Sequence, residues 1–136
     1  MSGVMQQTYK MFIGGKWVTA KTGTFYDVVN PGNEEVIARV PLGGEEDVHA
    51  AVDAAREAFD HGEWPKKPPA ERSKFLWTLA DLVEKNINML AELESKNQGK
   101  TIRYSKESDF PFIIDNLRFF AGAARMLEGE ASAEYT

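Results

Sequence analysis

Few residues in this chain have the type and spacing to do chemistry. Gly99-Lys100-Thr101 matches the close of a phosphate-binding loop, whose glycines let backbone N–H groups wrap phosphate oxygens. The full loop is G-x-x-x-x-G-K-[ST], which puts its first glycine at position 94, and that residue is Glu94. A carboxylate there repels phosphate. Residues 87–93 also carry a helical pattern where such a loop needs a buried strand. Gly99 therefore reads as a helix stop, since glycine enters the left-handed region without strain. The 136 residues include no cysteine, which removes disulfides, thiolate metal sites and a cysteine nucleophile. His49 falls in a helical pattern and His61 in a turn, and neither has a partner by local spacing. Surface or packing roles are expected for both. Lys100 and Arg118 could meet anions, but cations of this kind are more often solvated or structural.

The elements that hold these residues follow from pattern. Met11-Phe12-Ile13 and Lys16-Trp17-Val18 flank Gly14-Gly15, the pair a two-residue hairpin turn favours. Phe25 to Val29 and Glu35 to Val40 are β-rich runs about the turn Asn30-Pro31-Gly32-Asn33. Glu45, Glu46 and Asp47 place negative charge where a helix begins. Val48, Ala51, Val52, Ala55, Ala58 and Phe59 then repeat at helical spacing. Pro69 suits the first turn of a second helix, which Asn86 ends or bends. A shorter helix runs to about Asn97. Ser108 is expected to cap the last helix, with Pro111 in its first turn. Ile113, Leu117, Phe120, Ala124 and Leu127 form one stripe of that helix. Phe110, Phe112, Ile114 and Phe119 put apolar surface on its other faces. The expectation is a small β layer of hairpins followed by about four helices, underfilled for its length.

Composition bounds the partners. Hydrophobic content of 43%, charged content of 27% and a net charge of −5 describe an ordinary soluble domain. No basic patch calls for nucleic acid and no apolar run reaches membrane length. Met1 to Lys10 lacks the apolar core of a secretory signal, so a cytoplasmic location is expected.

Taken in order, the motifs resemble a family. Ile13-Gly14-Gly15-Lys16-Trp17, Asn30-Pro31-Gly32-Asn33-Glu34-Glu35-Val36-Ile37 and the run from Asp47 to Phe59 open the match. Trp64, Glu71-Arg72, residues 79–84, Glu92-Leu93-Glu94, Gly99-Lys100 and Arg118-Phe119-Phe120-Ala121-Gly122 continue it. Together they resemble the start of an NAD(P)-dependent aldehyde dehydrogenase. The resemblance implies an α/β fold, with residues 1–9 a flexible N-terminus and 10–136 the first part of the cofactor-binding domain. The core Rossmann strands and the catalytic domain of the family lie beyond these residues. So do its catalytic cysteine, general base, oxyanion asparagine and Rossmann glycines. No catalytic or cofactor-binding residue maps here. The implied chemistry is thiolate attack on an aldehyde, hydride transfer to NAD or NADP, and thioester hydrolysis. The chain alone is expected to bind no cofactor and to be inactive. Its implied partner is the missing remainder, in an enzyme that is a homo-oligomer when complete. The alternative is an independent non-catalytic interaction or assembly domain derived from the family, which requires a closed core.

The resemblance also implies two sites. Asp109 and Phe112 match positions facing the substrate tunnel, where a carboxylate beside an aromatic ring suits a cationic aldehyde. A capping acid and a core phenylalanine are the plainer readings. The carbonyls of Val28 and Val29 with the side chain of Asn97 match a monovalent-cation site, weakened because an amide brings no charge. Glu-Ser-Lys-Asn-Gln-Gly-Lys at 94–100 and the run from Asp115 to Arg125 look like the aminobutyraldehyde and betaine-aldehyde branch.

Overall fold

The structure, a computed structural model, describes residues 7–126. The chain divides into two compact units. The first holds the described residues up to Gly62 with Lys96–Gly99, and the second Glu63–Ser95 with the described residues from Lys100 onward.

In the first unit, β2 (Met11–Ile13) and β3 (Lys16–Val18) form the antiparallel hairpin the two glycines dictate. Gly14 and Gly15 both take positive φ, 58° and 77°, the requirement of a tight turn that twists with its strands. β4 (Phe25–Val29) pairs antiparallel with β5 (Val36–Pro41) around the Asn-Pro turn. The register shifts between Val28 and Val29: Val28 faces Ala38 and Val29 faces Val36, so Ile37 is the extra residue of a bulge. Gln7–Thr8 form a short strand, β1, parallel to β5 at Ala38 and Arg39. These two residues fall in the stretch expected to be flexible; residues 1–6 of that stretch lie outside the described residues.

α1 (Glu45–Asp60) begins at the acidic cluster. Asp47, 5% exposed, anchors it. Its carboxylate accepts from the Gly44 N–H at 3.0 Å and the Lys21 N–H at 3.1 Å, tying the loop at 20–24 to the helix start.

In the second unit, α2 (Pro69–Lys85) starts at its proline and ends at Asn86, which returns both its backbone and side-chain N–H groups to the Leu82 carbonyl. α3 (Ile87–Gln98) follows, its last turn grouping with the first unit. The final helix corrects an expectation. Ser108 caps nothing. The helical path begins six residues earlier, at α4 (Ile102–Tyr104), where the Thr101 hydroxyl accepts from the Tyr104 N–H at 3.4 Å. It then passes through a π turn, Ser105–Asp109, into α5 (Phe110–Ala123). Pro111 supplies the reason. It has no N–H to donate and its ring crowds the carbonyl four residues back, that of Glu107. A widened turn, with the Phe110 N–H donating to the Ser105 carbonyl, makes room and keeps the helix going. Leu127, expected on the stripe of this helix, lies outside the described residues.

α5 packs on α2. Arg118 of α5 reaches Asp81 at 3.1 Å and Glu84 at 2.6 Å, with its guanidinium 5.7 Å from the Trp77 ring centre. Hydrogen bonds to Glu84 and Asp81 push its pKa further up. The buried apolar residues are Ala20, Ala38, Ala80, Ala91, Ala121 and Ile114. Five of the six are alanines, so the elements approach closely but bury few large side chains among the described residues.

Candidate functional site

The phosphate-loop fragment dissolves into three structural tasks. Gly99 ends α3 with φ at 74°. Lys100 forms an ion pair with Asp109, and Thr101 caps α4. Glu94 lies within α3, on a helix. The histidines lie on the surface of α1 and its C-terminal cap, 3.6 Å from Glu45 for His49 and 3.9 Å from Glu57 for His61. No group of three or more His, Cys, Asp or Glu side chains converges among the described residues.

Asp109 and Phe112 do come together, in an open groove of about 270 Å³ also lined by Glu94, Lys100, Phe110 and Ile113. The π turn sets this arrangement. It closes on Asp109 and delivers Phe110, Phe112 and Ile113 on the turn after it. The groove holds two carboxylates, one ammonium and two phenyl rings. Lys100 Nζ bonds the Asp109 carboxylate and lies 5.6 Å from the Tyr104 ring centre. The hydrogen bond to Asp109 raises the lysine's pKa above its usual value, with Glu94 and Tyr104 adding smaller contributions. The sequence offered Asp109 as a tunnel-facing or capping acid and did not announce its counter-ion. The two are nine residues apart, across a helix start and a π turn, where no helical spacing predicts contact.

The second set, Val28, Val29 and Asn97, belongs to the first unit. Val28 and Val29 straddle the bulge that leads into the Asn-Pro turn. Gly99, two residues beyond Asn97, packs so tightly on Pro31 that a Cβ added there would lie 2.9 Å from the proline Cγ. The end of α3 is thus held against the turn that follows these valines. The side chains offer an amide and no carboxylate.

Comparison with known proteins agrees with the order of motifs. Residues 17–136 match the model of the aldehyde dehydrogenase family. The chain is 43% identical to an aldehyde dehydrogenase family 2 member C4 of Arabidopsis thaliana, covering 89% of the chain and 24% of that protein. It is 41% identical to a betaine aldehyde dehydrogenase of Bacillus subtilis, over 93% of the chain and 25% of the relative. An NAD-dependent aldehyde dehydrogenase from Sinorhizobium meliloti superposes with a TM-score of 0.86 at 39% identity, over 93% of this chain and 25% of that one. The chain spans about a quarter of the length of the curated relatives it matches.

Proposed function

We propose, for a chain that belongs to the aldehyde dehydrogenase family, that it is the N-terminal part of an NAD-dependent enzyme oxidising an aldehyde to a carboxylic acid. One observation carries this reading: the apolar surface of α5 is largely uncovered, with Phe112 70% and Phe119 67% exposed. Ile113 and Phe120 of the same helix are exposed as well. An independent assembly domain needs a closed core; among the described residues the buried apolar set is five alanines and one isoleucine, which supports the larger-fold reading. The faces fit a role as one side of a larger core, completed by the three quarters of the family fold that lie outside this chain. Relatives described as NAD-dependent support NAD as the whole enzyme's cofactor, and no residue of this chain is assigned to it.

The part this chain plays is structural and, at one groove, substrate-facing. Asp109 and Phe112 would border the path of an aldehyde, with the carboxylate and rings favouring a cationic tail. The chemistry itself is expected from elsewhere, because a thiolate nucleophile needs a cysteine and this sequence has none. Purified chain mixed with NAD and propanal or 4-aminobutanal should form no NADH. Turnover that tracks the chain through successive columns, free of any contaminating dehydrogenase, would refute the reading.

A further inference from the structure

The groove at the start of α5 carries its own cation. Glu94 and Asp109 give it two formal negative charges, and Phe110, Phe112 and Ile113 give it an apolar wall. An acidic, aromatic pocket is the environment that attracts organic ammonium ions. Here the ammonium of Lys100 already stands in it, bonded to Asp109 and facing the Tyr104 ring. The pair is about one-third exposed, 36% for the lysine side chain and 27% for the aspartate, so solvent weakens it without dissolving it. With Lys100 in place the groove's formal charge is −1; without it the charge is −2. Every cationic ligand must therefore enter against Lys100 or share Asp109 with it.

We propose that Lys100 is a specificity-determining residue, an internal counter-ion that sets how strongly this groove prefers cationic over neutral ligands. The inference rests on the substrate-facing reading of the groove for its meaning, but not for its test. Lys100 touches Asp109 and reaches the ligand through it. Its length matters: an ammonium on four methylenes covers the carboxylate, whereas a neutral side chain of similar bulk leaves it open to a ligand. A weak preference for cations in the intact groove and a strong one without the lysine both follow.

The test is binding to the whole 136-residue chain. Choline, a quaternary ammonium alcohol, and 3,3-dimethylbutan-1-ol, its neutral isostere, are titrated against the parent, Lys100→Met, Lys100→Arg and Lys100→Met/Asp109→Asn, following amide shifts by NMR. Choline should bind Lys100→Met about three- to tenfold more tightly than the parent, with the gain shrinking as salt is raised across the screening range. Lys100→Arg should stay near the parent, the double variant should lose the gain, and the isostere should respond to none of these changes. Equal choline affinity in parent and Lys100→Met, or a gain that the double variant retains, overturns the proposal and leaves the ion pair a purely structural tie. In the complete enzyme, Lys100→Met should lower KM for 4-aminobutanal relative to butanal. If choline affinity follows the predicted order while KM does not, the counter-ion role stands and the substrate-facing reading is the one that fails.

Discussion

At the scale of single residues, Gly99 shows why a motif fragment can mislead. Glycine and lysine stand side by side there for separate reasons: one turns the chain, the other neutralises a carboxylate. Gly99 combines a left-handed backbone with a close approach to Pro31. An alanine at this position meets both penalties. The left-handed conformation alone costs roughly 1–2 kcal/mol for a residue with a Cβ. Gly99→Ala should lower stability by at least about that much in urea melts. Gly23 offers the control, with φ at 67° and open space around it, so Gly23→Ala should lose only the backbone cost of roughly 1–2 kcal/mol. Equal losses at the two glycines would mean that contact with Pro31 contributes nothing.

Lys100 supplies a pH signature at the same scale. Its folded pKa lies above the unfolded one because Asp109 favours the ammonium. The stability it contributes is therefore fully present below the unfolded lysine value of about 10.4 and disappears as pH rises through the higher folded value. The stability difference between the parent and Lys100→Met should be flat from about pH 7 to 9 and shrink as pH rises beyond the unfolded lysine value. A difference that stays constant across that rise would show that the methylenes, not the charge, stabilise this region.

At the scale of elements, much of the chain was legible because the signals were local. Paired glycines set the first hairpin, an acidic triplet set the start of α1, Pro69 the start of α2, Asn86 its end, and Gly99 the end of α3. What escaped depended on partners distant in sequence. The two-residue strand at Gln7–Thr8 exists only because β5 offers an edge, and no pattern of two residues can announce that. The π turn escaped because Ser108 and Pro111 together look like a helix start, while the structure solves the proline by widening a turn inside a longer helix. Helical spacing put Asp109 and Phe112 on one face, but the groove they share required that turn. α2 and α5 each carry a fully buried small residue, Ala80 and Ala121. Ala121→Leu should overpack this region and cost about 1–3 kcal/mol, whereas Phe119→Ala in the isolated chain should be nearly neutral, its ring lying mostly in water. Thermal melts of both variants check this; a costly Phe119→Ala would show that α5 is covered even in the lone chain.

At the scale of the whole molecule, the exposed apolar residues recur on every layer. Phe12 and Trp17 are exposed on the hairpin, Val48, Val52 and Phe59 on α1, Leu79 and Leu82 on α2, and Phe112 and Phe119 on α5. Each large side chain left in water forgoes about 1.5–3 kcal/mol, so a handful equals the net stability of a typical domain, about 5–15 kcal/mol. Such faces make physical sense on a part of a larger fold, and they coincide with a match to about a quarter of each relative. The relative from Arabidopsis thaliana, in which 121 aligned residues are 24% of the length, is about 500 residues long. We infer that this chain is one segment of an enzyme of that size. The intact mass of the natural gene product tests it most directly. A polypeptide of about 55 kDa is expected, scaling the 15.2 kDa of this chain to the relative's length. A stable product of 15.2 kDa, monomeric and binding no hydrophobic dye, would contradict it.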